Sequence, residues 1–226
     1  MATTITSINA GSNCYLLETS GSFVLVDTGV RGKRRHVEDA LTRAGCSVGD
    51  LKLIVLTHGD SDHADNAAFL RAKFSAPIAM HRADAGMVER GDMSSNRKAR
   101  PDKVTLMGRV IMVMGKLVVL VQPPRFDTFS PDIAVEDGQS LSGYGLDASV
   151  LQLPGHSQGS IGVFTADGSL CCGDLIYNFF RPSQDWIDDL ATAKGSIARL
   201  QTLNPRVVYP GHGKPFLWGK FASRHG

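Results

Sequence analysis

Leu51-Lys52-Leu53-Ile54-Val55-Leu56 is an apolar run of strand length, and Thr57-His58-Gly59-Asp60-Ser61-Asp62-His63 follows it without a break. The run predicts a strand buried on both faces. From about His63 to Phe74 the spacing turns helical, with Ala67, Leu70 and Phe74 facing inward. The loop between them carries four potential ligands, His58, Asp60, Asp62 and His63, and imidazole and carboxylate are groups that first-row divalent metals accept. Taken alone, the loop also reads as a helix N-terminus with Asp60 and Asp62 as caps favoured by the helix dipole.

Upstream, Cys14 to Glu18 and Phe23 to Val26 read as two strands turned by Ser20-Gly21-Ser22. Lys33 to Ala44 is helical, with Val37, Ala40, Leu41 and Ala44 on one face and Gly45 as the stop. Downstream, Ile78 to Met80 is a short strand. Between about residues 83 and 131 the pattern degrades: Asp92 to Asp102 is polar and basic, and Val104 to Val121 is strongly apolar. This segment is expected to be an insertion into a single domain of residues 1–226, partly helical and serving as a lid or an oligomer contact, the latter consistent with a homodimer. Strand patterning resumes at Ser149 to Leu153, Ser160 to Thr165 and Ser169 to Cys172, the last two joined by Asp167-Gly168. Trp186 to Leu203 is helical and Arg206 to Tyr209 is a last strand. Strands followed by helices occur twice, which predicts an α/β fold of two packed sheets with outer helices, a four-layer αββα sandwich.

The other strand ends repeat the theme of the first. Pro154-Gly155-His156-Ser157, Cys172-Gly173-Asp174 and Pro210-Gly211-His212-Gly213 each set a His or Asp after an apolar run, beside a glycine that permits a sharp turn. With Asp27-Thr28-Gly29, the His58 to His63 loop and Pro154-Gly155-His156-Ser157-Gln158-Gly159-Ser160, all in order across nearly the whole chain, the sequence resembles the metallo-β-lactamase superfamily. The resemblance implies the αββα sandwich and a dinuclear metal site at one edge of the sheets. It implies that His58, Asp60 and His156 form one metal site, that Asp62, His63 and His212 form the other, and that Asp174 bridges them. It also implies hydrolysis of a small-molecule substrate by a hydroxide shared between two divalent ions, zinc in the first instance, with Asp62 orienting that hydroxide. Asp27 is expected behind a ligand histidine; Asp27-Thr28-Gly29 also reads as a plain turn. Tyr177, Asn178 and Arg181, just beyond Asp174, are candidate substrate contacts or a surface loop.

Position 60 departs from the family loop His-x-His-x-Asp-His, because Asp60 stands where the second histidine is usual. A hard oxygen donor with a negative charge points towards iron or manganese. The flavodiiron relatives, with Glu at that place, use iron, so a non-hydrolytic iron redox protein is the alternative function. Asp60 not ligating, with a single metal bound, is a further alternative.

Composition narrows the field. In 226 residues, 24 Lys and Arg against 22 Asp and Glu give a net charge of +2, with no concentrated run, which disfavours nucleic-acid and membrane-surface partners. The longest apolar stretch, Leu106 to Val121, is interrupted by Arg109 and Lys116 and falls short of the roughly 20 residues of a membrane span. Cys14, Cys46, Cys171 and Cys172 form no disulfide framework, and the N-terminus shows no secretory pattern, so a reduced cytoplasm is the expected compartment. That compartment disfavours a true β-lactamase, and the short tail after His212 disfavours a glyoxalase II. Gly155-His156-Ser157-Gln158-Gly159 also matches the G-x-S-x-G elbow of serine hydrolases, but a strand pattern follows it where the elbow requires a helix. His36, His81 and His225 are expected to serve ordinary structural or solvated roles.

Overall fold

The computed structural model describes residues 3–105, 109 and 127–225. Eleven strands among these residues form two sheets. The first sheet contains β1 (Thr4–Ala10), β2 (Ser12–Thr19), β3 (Ser22–Val26), β4 (Leu51–Val55), β5 (Ile78–Met80) and β6 (Ile133–Ala134), hydrogen-bonded in that order. The second contains β7 (Ala148–Gln152), β8 (Ile161–Thr165), β9 (Ser169–Gly173), β10 (Val207–Pro210) and β11 (Phe216–Leu217), with neighbours in the order β11-β10-β9-β8-β7.

Strand periodicity sorts the core into three layers. In β2, Tyr15 and Leu17 point at the other sheet and Cys14 and Leu16 point away; in β3, Val24 and Val26 face in while Phe23 and Leu25 face out. Between the sheets these residues meet Val150, Ile161, Val163 and Cys171. Outside the first sheet lie α1 (Arg34–Arg43), α2 (Ser61–Ala64), α3 (Ala67–Phe74) and α4 (Arg82–Arg90), from which Val37, Leu41, Ala64, Leu70, Phe74 and Val88 bury against it. Outside the second lie α5 (Leu190–Leu203) and α6 (Gly219–His225), contributing Ala193, Ile197, Leu200 and Phe221. The arrangement is the predicted αββα sandwich. β4 is apolar nearly throughout because it pairs in parallel with β3 and β5 and is covered on both faces.

Strand direction places the site. β10 runs parallel to β9, while β8 is antiparallel to both β9 and β7, so β7, β9 and β10 share one direction and deliver their C-terminal loops to one edge. There the amide of Ile161 donates to the carbonyl of Thr57 (2.8 Å), tying the second sheet to the loop after β4.

Several elements differ from the sequence expectation. The single helix expected from His63 to Phe74 is two, because the Asn66 side chain at the break donates to the carbonyls of Thr28, Gly29 and Val30 (2.8, 3.1 and 3.0 Å). The helix expected from Trp186 starts at Leu190: Trp186 has φ +46°, outside helical space, and Asp189 caps the new start by accepting from the Thr192 amide at 2.9 Å. The described ends of the region of residues 83–131, expected to be an insertion, touch the outer core of the first sheet. Its α4 buries Met87 and Val88, and its Phe129 joins the outer core. Within this segment, read as a lid or oligomer contact, residues 106–126 lie outside the described residues apart from the exposed Arg109. No helix among the described residues is long and apolar enough to cross a membrane.

Candidate metal centre

Five strand-end loops meet at one edge of the sandwich. His58, Asp60, Asp62 and His63 follow β4, His156 follows β7, Asp174 follows β9, His212 follows β10, and Asp27 follows β3. His58, His156 and Asp174 bring one ligand atom each within 4.8 Å of one another, and Asp62, His63 and His212 do the same. Asp174 reaches both groups: its Oδ1 lies 3.4 Å from His63 Nε2, and its Oδ2 lies 3.4 Å from His212 Nε2 and 3.9 Å from His58 and His156 Nε2. The structure therefore brings together all seven residues proposed as ligands. Asp60 Oδ2 lies 3.1 Å from His156 Nε2 and 3.5 Å from His58 Nε2, on the side of the first triad.

The donor set fits a divalent ion. His58 Nε2, His63 Nε2 and Asp174 Oδ1 are buried without a hydrogen-bond partner, a state that costs roughly 1–3 kcal/mol per group unless a ligand relieves it. The second ring nitrogen of each of three histidines is already engaged. Asp27 Oδ2 accepts from His63 Nδ1 and from the Thr57 hydroxyl, both at 2.8 Å. With its proton given to Asp27, Thr57 Oγ1 can only accept from His58 Nδ1, at 2.9 Å. His156 Nδ1 donates to the carbonyl of Trp186 at 2.7 Å. All three therefore hold a proton on Nδ1 and turn Nε2 towards the centre, the nitrogen that metal ligation requires. Asp27 acts on both triads, on His63 directly and on His58 through Thr57. Its φ of +60° is uncommon for a residue with a Cβ, and the Asp27 amide is anchored to the carbonyl of Val55 at 2.9 Å.

The triads differ in charge. Burial alone would push His63 down, but Asp174, Asp27 and Asp62 outweigh it and hold its pKa well above the ordinary 6.5. His212 behaves likewise: burial is overcome by Asp174 and Asp62, and its pKa rises to about 9. Burial and the Arg97 guanidinium push His156 the other way, below 6.5. Asp60 is held well below the usual carboxylate range because Arg97, His156 and His58 overcome the effect of burial. Asp174 is lowered too, with His212 and His63 overcoming burial.

Several supports had no sequence signal. Asn13 of β2 donates from Nδ2 to the carbonyls of Pro210 and Gly213 (2.9 and 2.6 Å), and the Tyr15 hydroxyl donates to Pro210 (2.7 Å), so the first sheet clamps the loop of His212. Arg97, from the polar segment, ion-pairs with Asp60. Asp84 was legible in principle, because it shares a helical face with Met87 and Val88. It is fully buried and accepts from the Ser157 hydroxyl (2.6 Å) and the Gly159 amide (2.8 Å), fixing the loop of His156. Those bonds, with Ser160 Oγ at 2.7 Å, consume Ser157, and β8 rather than a helix follows, so the serine-nucleophile pattern has no geometry behind it. Gly211 is needed for space: a Cβ there would lie 2.0 Å from Asp174 Oδ1 and 2.7 Å from His63 Cε1. Gly173 combines φ +52° with a Cβ position 2.7 Å from Thr57 Oγ1.

The residues suggested for substrate separate. Tyr177 is buried; its hydroxyl donates to Asp174 Oδ2 at 2.8 Å and its ring stacks on His212 at 5.5 Å, a placement that orients a ligand. The Asn178 side chain donates to the carbonyl of Lys214, and Arg181 is exposed. His36 is exposed, and His81 caps α4 by accepting from the Ala83 amide. His225 ends α6.

Comparison with known proteins agrees with this fold. The sequence model of the metallo-β-lactamase superfamily matches residues 9–212. The chain is 27% identical to the probable metallo-hydrolase YflN of Bacillus subtilis strain 168, covering 94% of this chain and 84% of that protein. Among solved structures, the BLEG-1 B3 metallo-β-lactamase shares the fold with a TM-score of 0.74 at 21% identity, covering 97% of both chains. The metallo-β-lactamase family protein TTHA1429 of Thermus thermophilus does so with a TM-score of 0.72 at 23% identity, covering 99% of this chain and 76% of that one.

Proposed function

The chain belongs to the metallo-β-lactamase superfamily, and on that premise we propose that it is a metal-dependent hydrolase of small molecules carrying an ester, thioester, lactone or related bond. The observation that carries this reading is the convergence of His58, His63 and Asp174 with ligand atoms buried and without a hydrogen-bond partner, at the meeting point of two complete triads. In this reading His58, Asp60 and His156 hold one divalent ion, Asp62, His63 and His212 a second, and Asp174 both. Such ions supply Lewis acidity and bring the pKa of water from about 15.7 towards 7.

The chain's own groups do the rest. Asp27, Thr57 and the Trp186 carbonyl fix the protons on His63, His58 and His156, keeping each Nε2 available. Tyr177 holds Asp174 from below. Asp62, whose side chain is 36% exposed, is the carboxylate of the set most open to solvent, which supports a role in orienting an attacking water and taking its proton. Phe179, stacked on Tyr177 at 6.0 Å and 54% exposed, offers an apolar wall beside His212 to an incoming acyl group.

The test is metal analysis of protein purified without added metal, followed by an ester, thioester, lactone and phosphodiester panel on the same sample. Stoichiometric metal and a hydrolytic activity abolished by chelation and by His58→Ala are expected. Absence of metal, or full activity in that variant, would overturn the reading. The oxygen donor of Asp60 favours a second reading, an iron redox protein. Bound iron with turnover of oxygen or nitric oxide and no hydrolysis would establish it.

A further inference from the structure

The two triads are not equally free to accept a cation. Arg97, with only 14% of its side chain exposed, enters the first from the segment after α4. One guanidinium nitrogen, Nη2, reaches both the Asp60 carboxylate and His156 Nε2, the latter at 2.9 Å. The other, Nη1, donates to the carbonyl of His156 and lies 3.4 Å from Asp188 Oδ2. A single nitrogen thus holds two of the ligand atoms that an ion in the first triad would need. Around the second triad the ion-pair partners among the described residues are carboxylates only: Asp27, Asp62 and Asp174.

We propose that Arg97 is a resident cation of the first triad, so that the second triad loads with metal first and tightly, and the first loads only by displacing the guanidinium. A guanidinium and a divalent ion cannot share the same two ligand atoms, because like charges at that separation repel strongly where burial limits screening. Displacement is feasible because Asp188 stands ready. It is buried, and its Oδ2 has no hydrogen-bond partner, so a guanidinium released from Asp60 keeps a carboxylate. The substitution at position 60 and the arginine then form one device: Asp60 attracts the cation that an imidazole would not, and the pair makes the centre asymmetric.

This inference rests on the metal reading above and is tested separately from it. Metal-free full-length protein is titrated with zinc against a chromophoric chelator, and bound zinc per chain is counted by mass spectrometry. Two classes of site are expected, with affinities differing on the order of tenfold or more. His212→Ala should remove the tight class and His156→Ala the weak one. Arg97→Gln should tighten the weak class on the order of tenfold while leaving the tight class unchanged. Arg97→Met gives the same readout if the glutamine variant does not fold, and the wild-type titration with the two histidine variants needs neither. Two equal classes, a tight class that depends on His156, or weaker binding in Arg97→Gln would each overturn the proposal while leaving the metal reading intact. No zinc bound in any form would defeat both.

Discussion

The two halves of the centre are built from the same loop yet surrounded by opposite charges. His58 and Asp60 share their side with Arg97, whereas His63 and Asp62 face Asp27 and Asp174. Imidazoles of one kind accordingly move in two directions, with His156 below its ordinary pKa and His63 and His212 above theirs. Ligand identity alone therefore does not set a metal site. What matters equally is whether the charge of the ligands is already compensated by the chain.

The largest effect is expected at the residue both halves share. Asp174→Ala should strip metal from both triads, with a loss exceeding the roughly 10–100-fold that outer-shell changes cost; metal content after dialysis checks it. Asp27→Asn should weaken both halves within that roughly 10–100-fold range, most at His63, because Asp27 touches it directly and His58 only through Thr57. Thr57→Val then separates the two. It leaves the bond from Asp27 to His63 and removes the partner of His58 Nδ1, so a loss of about tenfold is expected in the first half alone, read by zinc competition. Asp84→Ala acts on the scaffold. It leaves the Ser157 hydroxyl and the Gly159 amide without their carboxylate, and thermal or urea unfolding should show a loss of about 1–3 kcal/mol.

A further effect is one of pH. His212, raised from 6.5 to about 9, stabilises the metal-free fold in its protonated form, and that contribution is complete below 6.5 and fades as pH rises through about 9. His63 shifts in the same direction, while His156, lowered, is already neutral above 6.5 and adds no slope there. The melting temperature of the metal-free protein should therefore fall between pH 6.5 and about 9, and metal should abolish the trend by taking the place of the protons. A flat profile in the metal-free protein would show that the second half carries no excess negative charge.

Much of the centre was legible because its signals are local. A strand that ends in a glycine beside a His or Asp announces itself within a few residues, and this happens at His156, Asp174 and His212 as well as in the loop after β4. Element ends were less legible where a distant side chain decided them. Asn66 breaks a helix by bonding three carbonyls near Thr28, and Asp189 rather than Trp186 starts α5. The segment after β5 looked like an insertion because a polar, basic stretch followed by a strongly apolar one shows no helix or strand period, yet Met87 and Val88 are core.

Layer order, strand ends and the types of candidate ligand were legible along the chain, since strand and helix periodicity and loop chemistry are written over short spans. The resemblance implied how the candidate ligands divide; the distances between them, which of them Asp27 orients, and that Arg97 pairs with Asp60 emerge only in three dimensions. Those are matters of distance between strand ends and of long side chains finding opposite charge in a buried place, and no local pattern encodes where a guanidinium comes to rest.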